Sequence, residues 1–141
     1  MTLRPRSRKP VPPALPTAAE LDILSALWRL GPATVRQVHD AMDKARGYTT
    51  TLKQMQGMVE KEFVVRSERF GVHVYAPGIP RRQMQKRIAG DLIRRVFGST
   101  ANLVMGALQA KPASAEEMAE IRKLIDAHRG PRTKKQEGRK S

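Results

Sequence analysis

The sequence predicts a mainly α-helical protein with one small β-hairpin, and three observations support this prediction. Two capping boxes, Thr17-Ala18-Ala19-Glu20 and Thr34-Val35-Arg36-Gln37, mark where two short helices begin. Apolar residues then recur three or four positions apart, which is typical of a helix with one buried face. Strand-forming residues on both sides of Phe70-Gly71 predict a tight hairpin. Three helices followed by a hairpin indicate a winged helix-turn-helix domain.

The three predicted helices differ in what they leave exposed. The first begins at Thr17 and ends at Gly31-Pro32, and the second begins at Thr34 and ends before Gly47. The third begins near Thr49 or Thr50 and runs to about Lys61. Its inward positions are Leu52, Met55, Met58 and Val59, and its outward positions are Thr49, Thr50, Lys53, Gln54 and Gly57. A polar outer face on the helix before a hairpin favours a helix that reads DNA.

The predicted hairpin forms the wing. Phe63–Arg69 supplies its first strand and Val72–Tyr75 the return strand, while Pro77 and Pro80 end the sheet. A little strand structure is also expected at Ala33-Thr34, lying against the hairpin. A generic small α+β domain is the alternative, which two capping boxes and a tight hairpin in this order disfavour.

Residues 81–129 are expected to form two or three further helices. Breaks at Gly98-Ser99 and Lys111-Pro112 separate them. The preceding domain is too small to cover all of their apolar stripes, so pairing with a second copy of the chain is favoured over packing within one chain. The expected dimerisation residues are Ile88, Leu92, Val96, Phe97, Leu103, Val104, Leu108, Met118, Ile121, Leu124 and Ile125.

Charge is concentrated at the two ends of the chain. The 141 residues carry a net charge of +14, and residues 1–16 contain four basic residues and no acidic one. The sequence therefore predicts four regions: a disordered basic tail (1–16), a winged-helix DNA-binding domain (17–80), a helical dimerisation region (81–129) and a second disordered basic tail (130–141). Each tail could neutralise phosphates or simply aid solubility.

Several function classes find no support in the sequence. The absence of cysteine excludes disulfides, thiolate metal sites and thiol nucleophiles, and fits a reducing cytoplasm. The three histidines lack a ligand spacing, and no phosphate-binding or zinc-protease motif occurs. Aromatic residues make up only 4%, which argues against a base-stacking RNA binder. We expect neither an enzyme nor a cofactor, metal or membrane span.

Several segments taken together resemble the penicillinase-repressor family, which also includes methicillin-resistance and copper-transport repressors. In the first part of the chain they are Leu21–Arg36, Thr49-Thr50, Val59-Glu60-Lys61 and Val74–Pro77. Further on, two sets of residues resemble the dimerisation helices of the family: Asp91-Leu92-Ile93 with Val96-Phe97-Gly98, and Ser114 with Glu116, Glu117, Ile121 and Leu124. The resemblance covers about residues 17–127. It implies a homodimeric winged-helix repressor of a bacterial cytoplasm that binds a palindromic operator.

The resemblance also implies a switch and a further partner. In the antibiotic-resistance branch, a membrane-bound metalloprotease sensor leads to cleavage in the dimerisation region, near Met105, Gly106 and Ala107 of this chain. Gly106-Ala107 stands where those repressors carry an Asn-Phe pair, so a shifted cut or another route of release is also open. Copper sensing is not expected without a cysteine cluster. Glu62 stands where the family usually has glycine, so either strain at the end of the third helix or a longer helix end is expected.

The candidate DNA-binding residues follow from these elements. Lys53 can reach guanine acceptors or a phosphate, and Gln54 can pair with adenine. Gly57 permits close approach, and Thr34 and Arg36 begin a helix that can hold a phosphate. The full candidate set is Thr34, Arg36, Thr49, Thr50, Lys53, Gln54, Gly57, Arg66, Arg69 and His73. A sequence-tolerant nucleoid-associated protein and a winged-helix module that binds an acidic protein remain alternatives.

Overall fold

The computed structural model describes residues 15–42 and 45–140, with side chains as far as residue 129. In chain order the elements are α1 (Ala18–Leu30), α2 (Val35–Ala41), α3 (Tyr48–Glu60), β1 (Val64–Arg69), β2 (Val72–Pro77), α4 (Arg81–Leu92), a π-helical turn (Ile93–Phe97), α5 (Thr100–Ala110) and α6 (Ala115–Lys140). The predicted fold class, mainly α with one antiparallel hairpin, is confirmed.

Both predicted capping boxes are present. Thr17 Oγ1 accepts a hydrogen bond from Glu20 N at 3.2 Å, and Thr17 N donates to Glu20 Oε1 at 3.0 Å. Thr34 Oγ1 accepts from Gln37 N at 3.1 Å, and Thr34 N donates to Gln37 Oε1 at 2.9 Å. Each box satisfies N–H groups that a helix start leaves unpaired. This local chemistry explains why α1 and α2 begin where the sequence predicts.

The core lies where α1, α2 and α3 meet the hairpin and the start of α4. Its largest fully buried side chains are Tyr75, Phe63, Ile23, Leu24, Leu27, Met55, Met58, Met84, Val38 and Thr51. The predicted inward positions Leu52 and Val59 are only partly buried and pack against this core. Thr51, which the sequence left unassigned, is fully buried instead. Trp28 anchors the end of the wing, because its Nε1 donates to Ile79 O at 3.0 Å.

The wing is a two-stranded hairpin, and Ala33 forms an isolated β-bridge to its second strand. Val64 lies opposite Pro77 and Arg69 lies opposite Val72. Phe70 and Gly71 connect the strands, and both have positive φ, +50° and +78°. This combination is typical of a type I′ turn. The expected strand pairing of Ala33 is confirmed, because its N–H and C=O bond reciprocally to Tyr75 at 2.9 and 2.8 Å.

A left-handed residue ends α3, as the departure at Glu62 leads one to expect. Glu62 has φ +67°, which is uncommon for any residue but glycine. Its N–H donates to Val59 O at 3.0 Å and the N–H of Phe63 donates to Met58 O at 3.0 Å. These two bonds are those of a Schellman motif, and the buried contact positions Met58 and Phe63 complete it.

The chain forms two compact units, Met1–Asp91 and Leu92–Ser141. The sequence predicts the division after residue 80, so the observed first unit is longer by most of α4. Met84 is the reason, because its side chain is fully buried in the winged core. Ile88, expected in the dimer interface, also packs against this core. An apolar stripe indicates burial but does not tell which neighbour buries it.

The second unit consists of the π-helical turn, α5 and α6. Gly98, with φ +79°, ends the turn, and Ser99 Oγ caps α5 by accepting from Asn102 N at 3.1 Å. A Cβ on Gly106 would lie 2.8 Å from Phe97 Cε1, so this glycine lets the Phe97 ring pack onto α5. Ser114 Oγ caps α6 in the same way.

The two predicted tails have different outcomes. Residues 1–14, most of the basic N-terminal tail, lie outside the described residues. At the other end, α6 continues through residues 130–140, where the sequence predicts disorder. Lys, Arg, Gln and Glu have favourable helix propensities, so a low apolar content does not by itself prevent a helical backbone.

Candidate nucleic-acid interface

The exposed face of α3 is polar along its length. Thr49, Thr50 and Lys53 are exposed as predicted, and Gly57 is half-buried with open space where a Cβ would stand. Thr51, Met55 and Met58 hold the opposite face in the core. Gln56 is also exposed, and it lies three residues after Lys53, on the same side of the helix. Gln56 was not predicted from the sequence. It lies three residues after Lys53 and seven after Thr49, a spacing that places all three on one helix face and would have indicated it.

Gln54 has a different environment from the other predicted reading residues. Its side chain is half-buried, next to the buried stripe, and its Oε1 accepts from Arg46 Nη1 at 3.5 Å. Arg46 in turn lies 3.6 Å from Asp22 Oδ2 on α1. This Arg46 contact joins the loop before α3 to α1 and to the second turn of α3. Arg46 is a second residue that the sequence reasoning did not single out.

A buried network fixes the start of α3 against α2. His39 is only 8% exposed, and its Nδ1 lies 3.2 Å from Thr51 Oγ1. The Thr51 hydroxyl also donates to Gly47 O at 3.3 Å. The His39 ring meets Tyr48 edge-on at 5.6 Å between centroids. His39 therefore has a structural role, because it orients the helix start from which Thr49 and Thr50 project.

The Arg36 guanidinium stacks on Tyr48 beside this network. Its Cζ lies 4.3 Å from the centroid of the Tyr48 ring, within cation–π distance. Arg36 therefore keeps its charge at the surface while its planar group is held in place. Thr34, the cap of α2, is half-buried, and its hydroxyl already accepts from Gln37 N. The N-terminal ends of α2 and α3 thus lie together with one oriented cation between them.

The wing divides its three candidate residues between two faces. Arg66 lies opposite Tyr75 and His73 lies opposite Glu68, so Arg66 and His73 share the face that carries the buried Tyr75. Arg69 is on the other face, opposite Val72. All three are exposed. Arg69 and the pair Arg66–His73 can therefore approach a phosphate backbone only from different sides of the wing.

The apolar residues predicted to form the dimer interface are not buried within one chain. In residues 92–129 no side chain is buried. Leu92, Val96, Val104, Leu124 and Ile125 are exposed, whereas Phe97, Leu103, Leu108, Met118 and Ile121 are half-buried. Of the candidate cleavage residues, Met105 and Ala107 are exposed and Gly106 is half-buried in the interior of α5.

Neither a cluster of metal-ligand side chains nor a helix able to span a membrane occurs among the described residues. Within residues 15–42 and 45–140 no group of three His, Asp or Glu side chains could hold a metal ion. Over the same part of the chain, no helix is both long enough and apolar enough to cross a membrane.

The fold, mainly helical with one antiparallel hairpin, is consistent with a winged-helix DNA-binding domain, and a comparison with known protein families identifies the family. The family model of the penicillinase repressor matches residues 16–127, so the chain belongs to that family. Membership implies a DNA-binding transcriptional repressor, a class of regulatory proteins and not of enzymes. No curated protein matches the chain.

Proposed function

We propose that the protein is a homodimeric, sequence-specific repressor that reads a palindromic operator with α3, in a bacterial cytoplasm. The exposed polar face of α3 carries this proposal. Thr49, Lys53 and Gln56 project from a helix whose opposite side is fixed by Thr51, Met55 and Met58. A rigid helix with free donors and acceptors suits base-edge contacts in a major groove.

The second unit supports the dimer. A stable unit ordinarily buries part of its apolar surface, yet residues 92–129 bury no side chain within one chain. Val96 and Leu124 are 67% and 61% exposed. A second copy that presents the same face would cover these residues, and two-fold symmetry would match an inverted repeat with half-sites about one or a few helical turns apart.

Selection of bound sites from random duplexes tests the proposal directly. We expect an enriched inverted repeat, and two protein chains on each selected duplex. On that duplex, Lys53→Ala and Gln56→Ala should each cost about 1–3 kcal/mol of binding free energy if the side chain contacts a base edge. Gln54→Ala should cost less than Gln56→Ala, because Gln54 is half-buried beside Arg46.

Lys86→Ala is the matched control for Lys53→Ala, because it removes the same charge from an exposed position on α4. It should leave the preference for the selected site unchanged. Equal losses of Lys53→Ala on selected and random duplexes would reassign Lys53 to phosphate contact. No enriched sequence at all, with equal affinity for every duplex, would favour the nucleoid-associated alternative.

We further propose that cleavage in α5 by a membrane-bound metalloprotease sensor is one route of derepression. Gly106-Ala107 lies in the interior of this helix, and Phe97 covers Gly106. A protease needs an extended substrate, so α5 must open locally before the cut. Mass spectrometry of protein from induced cells should find a fragment that ends near Met105 or Gly106. Intact chains at full derepression would exclude cleavage as the switch.

A further inference from the structure

The tip of the wing carries an aromatic residue that the fold does not require. Phe70 is 102% exposed, so its ring contacts no other part of the described chain. Its φ of +50° is disfavoured for an aromatic residue, and the first position of a type I′ turn is ordinarily Asn, Asp or Gly. Neither turn geometry nor core packing explains a phenylalanine here.

The wing also projects the ring away from the core. Burial in β1 ends at Val64, and the remaining five residues of the strand are exposed. In β2 the buried residue is Tyr75, three positions beyond Val72. A six-residue strand is ~17 Å long at the rise per residue of a β-strand, so the turn lies well outside the packed part of the domain.

The charges around the tip indicate what this ring would meet. Arg69 precedes Phe70. From the Arg69–Val72 pair, His73 lies exposed one pair further down the hairpin and Arg66 lies exposed three pairs further down, with Glu68 as the one acidic side chain of the wing. Arg66 and Arg69 point to opposite faces, so they can contact the two phosphate backbones that border one groove. An exposed ring at the tip of a hairpin that carries two arginines fits a polyanion with stacked aromatic bases better than it fits an acidic protein surface.

We propose that Phe70 is a wedge that enters the minor groove beside the helix-binding site and unstacks a base step there, bending the operator. The inference rests on the proposed function and extends it from sequence reading to deformation of the DNA. Apolar side chains inserted from the minor groove partly unstack bases and kink the duplex toward the major groove. Pyrimidine–purine steps deform most easily, so the operator should carry such a step where the wing reaches it.

Phe70→Asn gives a sharp test, because Asn-Gly is the favoured pair for this turn and the wing should remain folded. With the selected operator, we expect about tenfold or greater loss of affinity, as for loss of one stacked base, and a smaller bend measured by energy transfer between the duplex ends. Phe70→Trp should retain the bend. Val65→Thr is the control, because Val65 is 57% exposed on the same hairpin and the substitution keeps its shape.

The outcomes separate this inference from the proposed function. Wild-type affinity and bend in Phe70→Asn, with selective binding intact, would overturn the wedge alone and assign the ring to another partner. Loss of affinity with an unchanged bend would also overturn it. A wild-type protein that selects no duplex would overturn both. A flexible step at the wing position of the selected operator would support the wedge independently.

Discussion

In the described part of the chain, two residues other than glycine have a positive φ. Phe70 stands in the wing turn, and Glu62 ends α3 in a Schellman motif. Behind Glu62 the backbone is crowded, because a Cβ on Gly78 would lie 2.7 Å from Glu62 O. Gly78 N also donates to Phe63 O at 2.8 Å, so the exit of the wing packs directly onto the end of α3. The left-handed turn at Glu62 is therefore held by its surroundings.

We expect Glu62→Gly to stabilise the winged unit by about 1 kcal/mol. A left-handed conformation costs an L-residue roughly 1–2 kcal/mol, and the greater chain entropy of unfolded glycine offsets part of the gain. Urea unfolding measures the change. Glu62→Ala is the control, because it removes the charge and keeps the Cβ. An equal gain in both variants would attribute the effect to charge and not to conformation.

Among the elements, α3 depends most on contacts that lie outside its own sequence. Its N-cap is Gly47, which makes no side-chain capping bond. The Thr51 hydroxyl takes part instead, by donating to Gly47 O and bonding His39 on α2. Tyr48 adds an edge-on contact to the same histidine. The start of α3 is thus positioned by α2.

We predict that Thr51→Val destabilises the protein by about 1–3 kcal/mol, although valine has nearly the same shape. The substitution leaves a buried His39 nitrogen without its partner, whereas the Gly47 carbonyl keeps the hydrogen bond from the Thr51 backbone N–H at 3.1 Å. Thr50→Val, at an exposed position on the same turn, should change the free energy of unfolding little. If both variants unfold at the same denaturant concentration, the His39–Thr51 contact contributes nothing to stability.

An ion pair joins the start of α1 to the end of α3. Lys61 Nζ lies 2.8 Å from Glu20 Oε2, and the Glu20 side chain is 8% exposed. Burial by itself raises the pKa of Glu20, but the hydrogen bonds from Lys61 and the Thr17 backbone, with the Lys61 charge, hold this pKa below its ordinary value of 4.5. Since the folded pKa is the lower one, the pair stabilises the fold above pH 4.5, and this contribution is lost as the pH falls through the folded pKa.

Glu20→Gln tests this link between the two helices, because glutamine keeps the capping box while it removes the charge. We expect a loss of about 1 kcal/mol at neutral pH and convergence with the wild type in acid. The free energy of unfolding of both proteins, measured between pH 7 and pH 3, gives the difference at neutral pH and shows whether it disappears in acid. A difference from the wild type that stays constant across this range would assign the effect to packing and not to ionisation.

The elements that could be predicted from the sequence are those that local chemistry determines. The capping boxes at Thr17 and Thr34 and the turn at Phe70-Gly71 each depend on residues within a few positions. The His39–Thr51 contact spans twelve positions, and nothing in the run Thr49-Thr50-Thr51 tells which hydroxyl is buried. For the same reason the sequence does not tell that Ile88 packs against the core of the first unit, since its periodicity is equally compatible with two neighbours. For the interface, exposure of Lys53 was predictable, whereas the stacking of Arg36 on Tyr48 was not.

At the scale of the whole molecule, the two units differ in how complete they are. The unit Met1–Asp91 contains a full core, whereas in Leu92–Ser141 none of the side chains of residues 92–129 is buried. Both α3 and the hairpin belong to the first unit. If the second unit links two copies, the affinity of one reading domain for its half-site is raised by the presence of the other. Stability of the reading domain and strength of operator binding should then be separable.

Leu124→Asp is the substitution that separates the stability of the first unit from the strength of operator binding. Leu124 is 61% exposed on α6, so the charge should leave the fold of one chain intact and prevent a second copy from covering that face. We expect a folded monomer by light scattering, with unchanged unfolding of the winged unit and about 100-fold weaker operator binding. Ala119→Asp is the control, because it adds the same charge to the same helix at an exposed position away from the apolar stripe. A Leu124→Asp protein that is still dimeric at micromolar concentration would move the interface away from α6, and a monomer with undiminished affinity would show that one chain suffices to read the operator.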